Sequence, residues 1–240
     1  MFLHGFCENK SIWEAFEAKF KSTYQVVLID LPGHGASPVG DDNIQLEDVA
    51  TDIHLLLVKH DIHEYFVIGH SLGGYIGLAI AELFPNHFLG LGLFHSSTFA
   101  DDEEKKKVRA KVGDFINEHG VASFTKNAIP NLFANKEKHA LAIQEMITIA
   151  SKTSPEAVIG FSLAMMNRPD RTKVIATSIH PVFIIGGELD KAVPLDVSQQ
   201  MIQNINVGAG IILANTGHNG FVEAEQESLS FIGDFFGKYF

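Results

Sequence analysis

Five short runs in this chain are continuously apolar and rich in β-branched residues: residues 25–30, Tyr65 to Gly69, Phe88 to Phe94, Pro181 to Gly186 and Gly210 to Ala214. A strand that shows one face to water alternates apolar and polar residues, so runs without alternation read as strands covered on both faces, as in a parallel sheet. Between them lie segments of helical period. Trp13, Phe16 and Phe20 mark one, and Leu46, Val49, Ile53, Leu56 and Leu57 another. A third, 72–84, is apolar on most sides, as a helix against the sheet centre should be, and Pro85 follows its end. Strand-helix alternation of this kind predicts an α/β fold, with right-handed crossovers and helices on both faces of the sheet.

The alternation stops after Phe94. From 97 to 169 only helical signals are found, over 101–119, 121–132, 136–151 and 155–167, and the strand-helix rhythm resumes near Ile179. The expected organisation is a core of 1–96 and 170–240 with a helical insertion of 97–169. A separate helical domain is the alternative, disfavoured because both ends return to the same sheet pattern. No internal repeat or low-complexity tract interrupts this.

Composition narrows the function. With 46% hydrophobic and 20% charged residues in 240, the chain can bury a sizeable core and is neither disordered nor a disulfide scaffold. Eighteen Lys+Arg against 29 Asp+Glu give a net charge of −11, which excludes the basic footprint of a nucleic-acid partner. Cys7 is the only cysteine and no metal-spaced Cys/His cluster accompanies it, so a reducing, cytoplasmic location and no metal are expected. No apolar run approaches the roughly 18 residues of a membrane span, and no signal peptide is visible.

The residues that carry chemistry begin with Gly69-His70-Ser71-Leu72-Gly73-Gly74, a G-x-S-x-G set directly after an apolar strand and directly before an apolar helix. In that context the turn strains the serine backbone, flanking glycines let strand and helix pass closely, and Ser71 Oγ projects above the C-terminal edge of the sheet. The helix places the Leu72 amide toward a developing oxyanion. The plainer alternative is a glycine-rich turn that only packs well. Against it stand an acid, Asp190, on the loop after the strand ending at Gly186, and a histidine, His218, on the loop after the next strand. His218 would take the Ser71 proton and deliver it to a leaving group, while Asp190 fixes the imidazole tautomer. Asp196, one turn on, rivals Asp190, and His218 is one of 12 histidines. The Phe6 backbone N–H, after Gly5, is the expected second oxyanion donor.

His4-Gly5-Phe6, Asp30-Leu31-Pro32-Gly33-His34-Gly35-Ala36-Ser37, Gly69 to Gly74, Gly187 to Pro194 and Gly217-His218 together resemble, in order and across essentially the whole chain, the α/β-hydrolase superfamily in its group of helical-capped serine hydrolases. The resemblance implies an eight-stranded, mostly parallel sheet, a cap formed by 97–169 over the active site, and no cofactor. Here the family's leading antiparallel hairpin is missing: Met1-Phe2-Leu3 reads as the end of a buried strand, and the residues outside the insertion suffice for about six strands. The strand carrying His4-Gly5 is therefore expected to expose an edge, a liability for stability or for association into a homodimer.

The leading expectation is hydrolysis of a small, mostly apolar ester, a small-molecule substrate, through an acyl-enzyme on Ser71. A serine, where relatives that cleave epoxides or carbon–halogen bonds carry aspartate, argues against those reactions. C–C bond hydrolysis or a cofactor-free elimination with the same triad is an alternative; Arg168 and Arg171 could serve it, or lie on a solvated exit helix. A ligand-binding homologue without turnover is the third reading. His4, Cys7, His95, Ser96, Phe161 and Met165 are candidate substrate contacts, His70 is read as a packing residue, and residues 30–37 as a structural turn. Phe124, Phe133, Phe161, Met165 and Met166 could form either the core of the insertion or the pocket roof.

Overall fold

A computed structural model of the chain describes residues 1–40 and 43–240. Six strands form one parallel sheet: β1 (Phe2–Leu3), β2 (Leu28–Ile29), β3 (Tyr65–His70), β4 (Phe88–Phe94), β5 (Val182–Gly187) and β6 (Gly208–Leu213), in the order β2-β1-β3-β4-β5-β6. All five pairings are parallel. The expected edge is therefore misplaced. β1 lies between β2 and β3, and the two-residue β2 takes the edge, because the turn after Ile29 ends its ladder early.

Two cores cover the sheet. On one face, α2 (Leu46–Lys59), α3 (Leu72–Leu83), α8 (Thr172–Thr177) and α9 (Leu195–Gln203) contribute Leu46, Ile53, Leu57, Ile76, Ile175 and Met201 to a cluster with Val67, Leu91 and Ile184. On the other face, α1 (Glu14–Phe20) and α11 (Glu225–Tyr239) join Phe16, Ile232 and Phe235 to Ile68, Phe94 and Phe183. Trp13, in a 3-10 turn before α1, is wholly buried here between Phe16 and Phe94.

Residues between β4 and α8 are helical, as expected, with different breaks: α4 (Glu103–Ala110), α5 (Val112–Ala128, kinked at Gly120 with φ 76°), a 3-10 turn at Ile129–Leu132, α6 (Ala140–Ala150) and α7 (Pro155–Asn167). The 101–119 segment divides at Lys111, and the helix is interrupted at Gly120 (φ 76°, ψ 164°), between the two helical stretches expected to end at 119 and begin at 121, where glycine tolerates the positive φ. Asp101 is held between Arg109 of α4 and Arg168 at the end of α7, and Arg168 also lies 4.0 Å over the Tyr75 ring. Arg171 pairs with Glu47 and Glu82 and donates its backbone N–H to Thr98 O at 2.7 Å. Arg168 and Arg171 are thus buried clamps, contrary to the solvated exit helix expected, because each finds a carboxylate partner. No described helix is long and apolar enough to cross a membrane.

Helix α3 passes close behind β1. A Cβ at Gly73 would lie 2.7 Å from His4 O and nearer still to Leu3 O, both backbone atoms that cannot swing aside. Gly73→Ala is therefore expected to lower the urea midpoint by the equivalent of about 3 kcal/mol or prevent folding; denaturation of the purified variant reads this directly.

Candidate active site

Ser71 links β3 to α3 with φ 48° and ψ −112°, a conformation that costs a side-chain-bearing residue of order 1–3 kcal/mol and survives only where neighbours hold it. Here its N–H donates to Phe94 O at 3.0 Å, and its carbonyl accepts from Gly74 N at 3.0 Å and Ser96 Oγ at 2.7 Å. Gly69 and Gly74 leave no space for side chains against Gly73 and Ser96. Ser71 is half-buried at the N-terminus of α3.

Asp190 follows β5 and His218 follows β6, so both reach the same sheet edge as Ser71. His218 Nδ1–H donates to Asp190 Oδ2 at 2.8 Å, while Asp190 Oδ1 accepts from the amides of Ala192 (2.8 Å) and Val193 (3.0 Å). Burial would raise the Asp190 carboxyl, but His218 and His95 outweigh it and hold the group well below the usual carboxylate range. Burial would lower His218, but the Asp190 carboxylate, with Glu8 and Glu223 beyond it, raises the imidazole above its ordinary value. Asp196 lies in the first turn of α9, exposed, so Asp190 is the acid at the histidine.

Histidines tie the loops. His4 Nε2 accepts from Leu31 N (2.9 Å), and His34 Nε2 accepts from Cys7 N (3.2 Å), so the loops after β1 and β2 exchange one bond each way. Burial pushes His34 down to about 3, leaving the neutral ring needed to accept. His70 Nδ1 meets Glu8 Oε2 at 2.9 Å and its Nε2 meets His218 O at 2.9 Å, joining the turn at Ser71 to the His218 loop. His218 N also donates to Leu132 O at 2.7 Å, a tie to the helical segment. Glu8 Oε2 takes the Gly5 amide at 2.6 Å. The amides on either side of Phe6 are thus engaged; those of Phe6 and Leu72 have no acceptor among the described residues.

These ties were missed from sequence, and His70 does more than pack. The signal was present: His4, His34, His70, His95 and His218 each stand at or just past the C-terminal end of a strand. The expected substrate contacts are buried and engaged within the protein. His4 is spent on Gly5 O and Leu31 N. Cys7 is buried against His34, its thiol pushed up by burial. Ser96 bonds Ser71 O, and His95 is wholly buried against Asp190. Phe161 and Met165 pack into the core beneath α7, and Phe133 is likewise buried. Each is buried, as His218 and Asp190 are. Of the aromatic residues of the helical segment, Phe124 instead packs edge-on to Phe6 at 6.2 Å and lines an apolar cavity of about 340 Å³ with Val108, Val112 and Phe115.

His95, Asp190 and His218 also bring three ligand-type atoms within 4.8 Å of one another. Their 2.8 and 3.0 Å separations are those of hydrogen bonds between a carboxylate and two imidazoles.

The profile of the Alpha/beta hydrolase family matches residues 1–228. A pimeloyl-[acyl-carrier protein] methyl ester esterase of Sodalis glossinidius is 24% identical over 226 residues, covering 92% of this chain and 86% of that protein. A 2-succinyl-6-hydroxy-2,4-cyclohexadiene-1-carboxylate synthase of Enterobacter sp. is 25% identical over 236 residues, covering 93% and 85%. Among solved structures, a thermophilic esterase from Thermogutta terrifontis superposes with a TM-score of 0.93 at 24% identity, covering 99% of this chain and 89% of that one.

Glu8 offers a test of the loop ties. Burial would raise its carboxyl, but His70, His4 and the Gly5 amide hold it below the usual range. Glu8→Ala is expected to cost about 3 kcal/mol in urea denaturation at pH 7. A depressed carboxyl contributes stability above its unfolded value near 4.3 and loses it as pH falls. The gap between the variant and the parent should therefore narrow toward pH 3.

Proposed function

Given that the chain belongs to the alpha/beta hydrolase family, we propose that it is a serine hydrolase of small, mostly apolar esters, acting through an acyl-enzyme on Ser71. The observation that carries this reading is the strained Ser71 at the β3–α3 turn, on the sheet edge that also presents the His218–Asp190 pair. As Ser71 Oγ attacks the ester carbonyl carbon, His218 Nε2 takes the hydroxyl proton, and Asp190 stabilises the resulting imidazolium through Nδ1–H. The former carbonyl oxygen, now anionic, receives the Phe6 and Leu72 N–H groups, which have no acceptor among the described residues. Collapse breaks the ester C–O bond, and His218 returns its proton to the departing alcohol. Water, deprotonated by the same imidazole, then attacks the acyl carbon; the bond from that carbon to Ser71 Oγ breaks, His218 gives its proton to Oγ, and the acid leaves with Ser71 restored.

The helices between β4 and α8 serve in this reading as the cap, 97–169. The edge-on contact of Phe124 with Phe6 supports an apolar substrate group. The pairing of Arg168 with Asp101, and of Arg171 with Glu47 and Glu82, leaves neither guanidinium free to serve C–C cleavage or elimination, which favours ester hydrolysis.

Ser71→Ala should abolish turnover of a short-chain p-nitrophenyl ester, and a fluorophosphonate probe should label the parent at Ser71 alone; undiminished activity or an unlabelled folded protein overturns the assignment. Because the base must be neutral, kcat/KM should fall about tenfold per pH unit below the native His218 value, which lies above the ordinary 6.5. A pH series with the same ester reads that limb.

A further inference from the structure

Two imidazoles converge on one oxygen of the acid. Asp190 Oδ2 stands 2.8 Å from His218 Nδ1 and 3.0 Å from His95 Nδ1, while Oδ1 is occupied by two amides. We propose that His95 is a positioning residue for this site: as a neutral Nδ1–H tautomer it shares Asp190 Oδ2 with His218, holding the carboxylate in place and moderating how strongly it draws a proton onto His218. The inference rests on the serine-hydrolase reading above.

The tautomer follows from the surroundings. His95 is wholly buried, and its Nε2 has no hydrogen-bond partner. A proton on Nε2 would be an unsatisfied buried donor, and it would turn the Nδ1 lone pair toward a carboxylate oxygen; a proton on Nδ1 removes both costs. Burial, reinforced by His218 and His70 and opposed by Asp190, pushes the His95 imidazole down to about 4, so it carries one proton at neutral pH.

The fold is shaped around this ring. His95 has φ 48° and is anchored through its N–H to Ile185 O at 2.8 Å. A Cβ at Gly187 would lie 2.9 Å from His95 Cε1, and one at Gly220 would collide with Nε2. The Asp190 loop thus begins at Gly187 and the His218 loop ends at Gly220, and neither glycine carries a side chain where His95 stands.

The effect on His218 has a definite sign. The titratable groups facing His218 are Asp190 after β5, His95 after β4, His70 at the end of β3, Glu8 after β1 and Glu223 on the short helix α10 (Gly220–Glu223). Those facing His95 are Asp190, His218 and His70. Asp190 raises His218, and a second N–H on the same oxygen draws off part of the charge that does so. Removing that donor should raise His218 further and leave less of it as free base at neutral pH.

Long-range ¹H–¹⁵N spectra of the uniformly labelled protein should show His95 in the Nδ1–H form across the neutral range. An Nε2–H or doubly protonated ring overturns the proposal. This readout needs no substrate, so absence of ester turnover would defeat the proposed function and leave the tautomer result standing. With active protein, His95→Phe should move the acid limb of kcat/KM up by about one pH unit and lower kcat about tenfold with KM little changed. His95→Asn, whose amide sets a donor near the Nδ1 position and tolerates a positive φ, should restore the limb. A limb unmoved in the Phe variant, or moved equally in both, would make His95 a filler and overturn the proposal. If His95→Phe does not fold, His95→Ala makes the same comparison against His95→Asn.

Discussion

The site depends on how closely α3 passes behind β1 and β3. That approach exists because Gly69, Gly73 and Gly74 carry no side chains where backbone or Ser96 already fills the space. It forces the tight turn that leaves Ser71 in left-handed φ, and the parallel register of β3 with β4 supplies the restraint, through Phe94 O and the Ser96 hydroxyl. A looser crossing would relieve the serine and swing its hydroxyl off the sheet edge. The strain is thus maintained by the sheet as a whole, which is why a two-layered core of large apolar residues stands on either side of it.

Around that turn, buried imidazoles do the joining that longer strands or disulfides do elsewhere. At His4 and His34 a neutral imidazole offers one donor and one acceptor on a rigid ring and so bridges two backbones that run too far apart to bond directly, whereas His70 turns both ring nitrogens to acceptors. His4 and His34 bridge the first two loops, and His70 bridges Glu8 to the His218 loop. Their consequence is local: with the Gly5 and Cys7 amides engaged, the Phe6 amide between them is held in a defined direction.

The strands and the G-x-S-x-G turn were legible in sequence because their signals are local. Continuous apolarity marks Tyr65 to His70 and Phe88 to Phe94 without reference to partners, and Gly69, Ser71 and Gly73 lie within one turn. Strand length was less legible: residues 25–30 read as a full strand but pair only at Leu28–Ile29, since pairing depends on the short β1 beside them. The histidine ties were not legible. His4 and Leu31 are 27 residues apart in sequence, and only the folded sheet brings them together. Arg168 and Arg171 misled for the same reason, because a charge looks solvated until its partners, Asp101, Glu47 and Glu82, are located.

The clamp on the helical segment has a consequence for how such a chain can diversify. Thr98 and Arg171 are joined backbone to backbone, and Asp101 is held by Arg109 from one end and Arg168 from the other, so the segment leaves and re-enters the sheet through a single fixed gate. The entropy of closing a loop grows only logarithmically with its length once its ends are fixed. Residues of α6 can therefore be lengthened, shortened or resculpted at small thermodynamic cost, provided that the bond from His218 N to Leu132 O, which ties the segment to the His218 loop, is kept. The gate lets α6 and its flanking turns drift while the strand ends on either side of it keep their register.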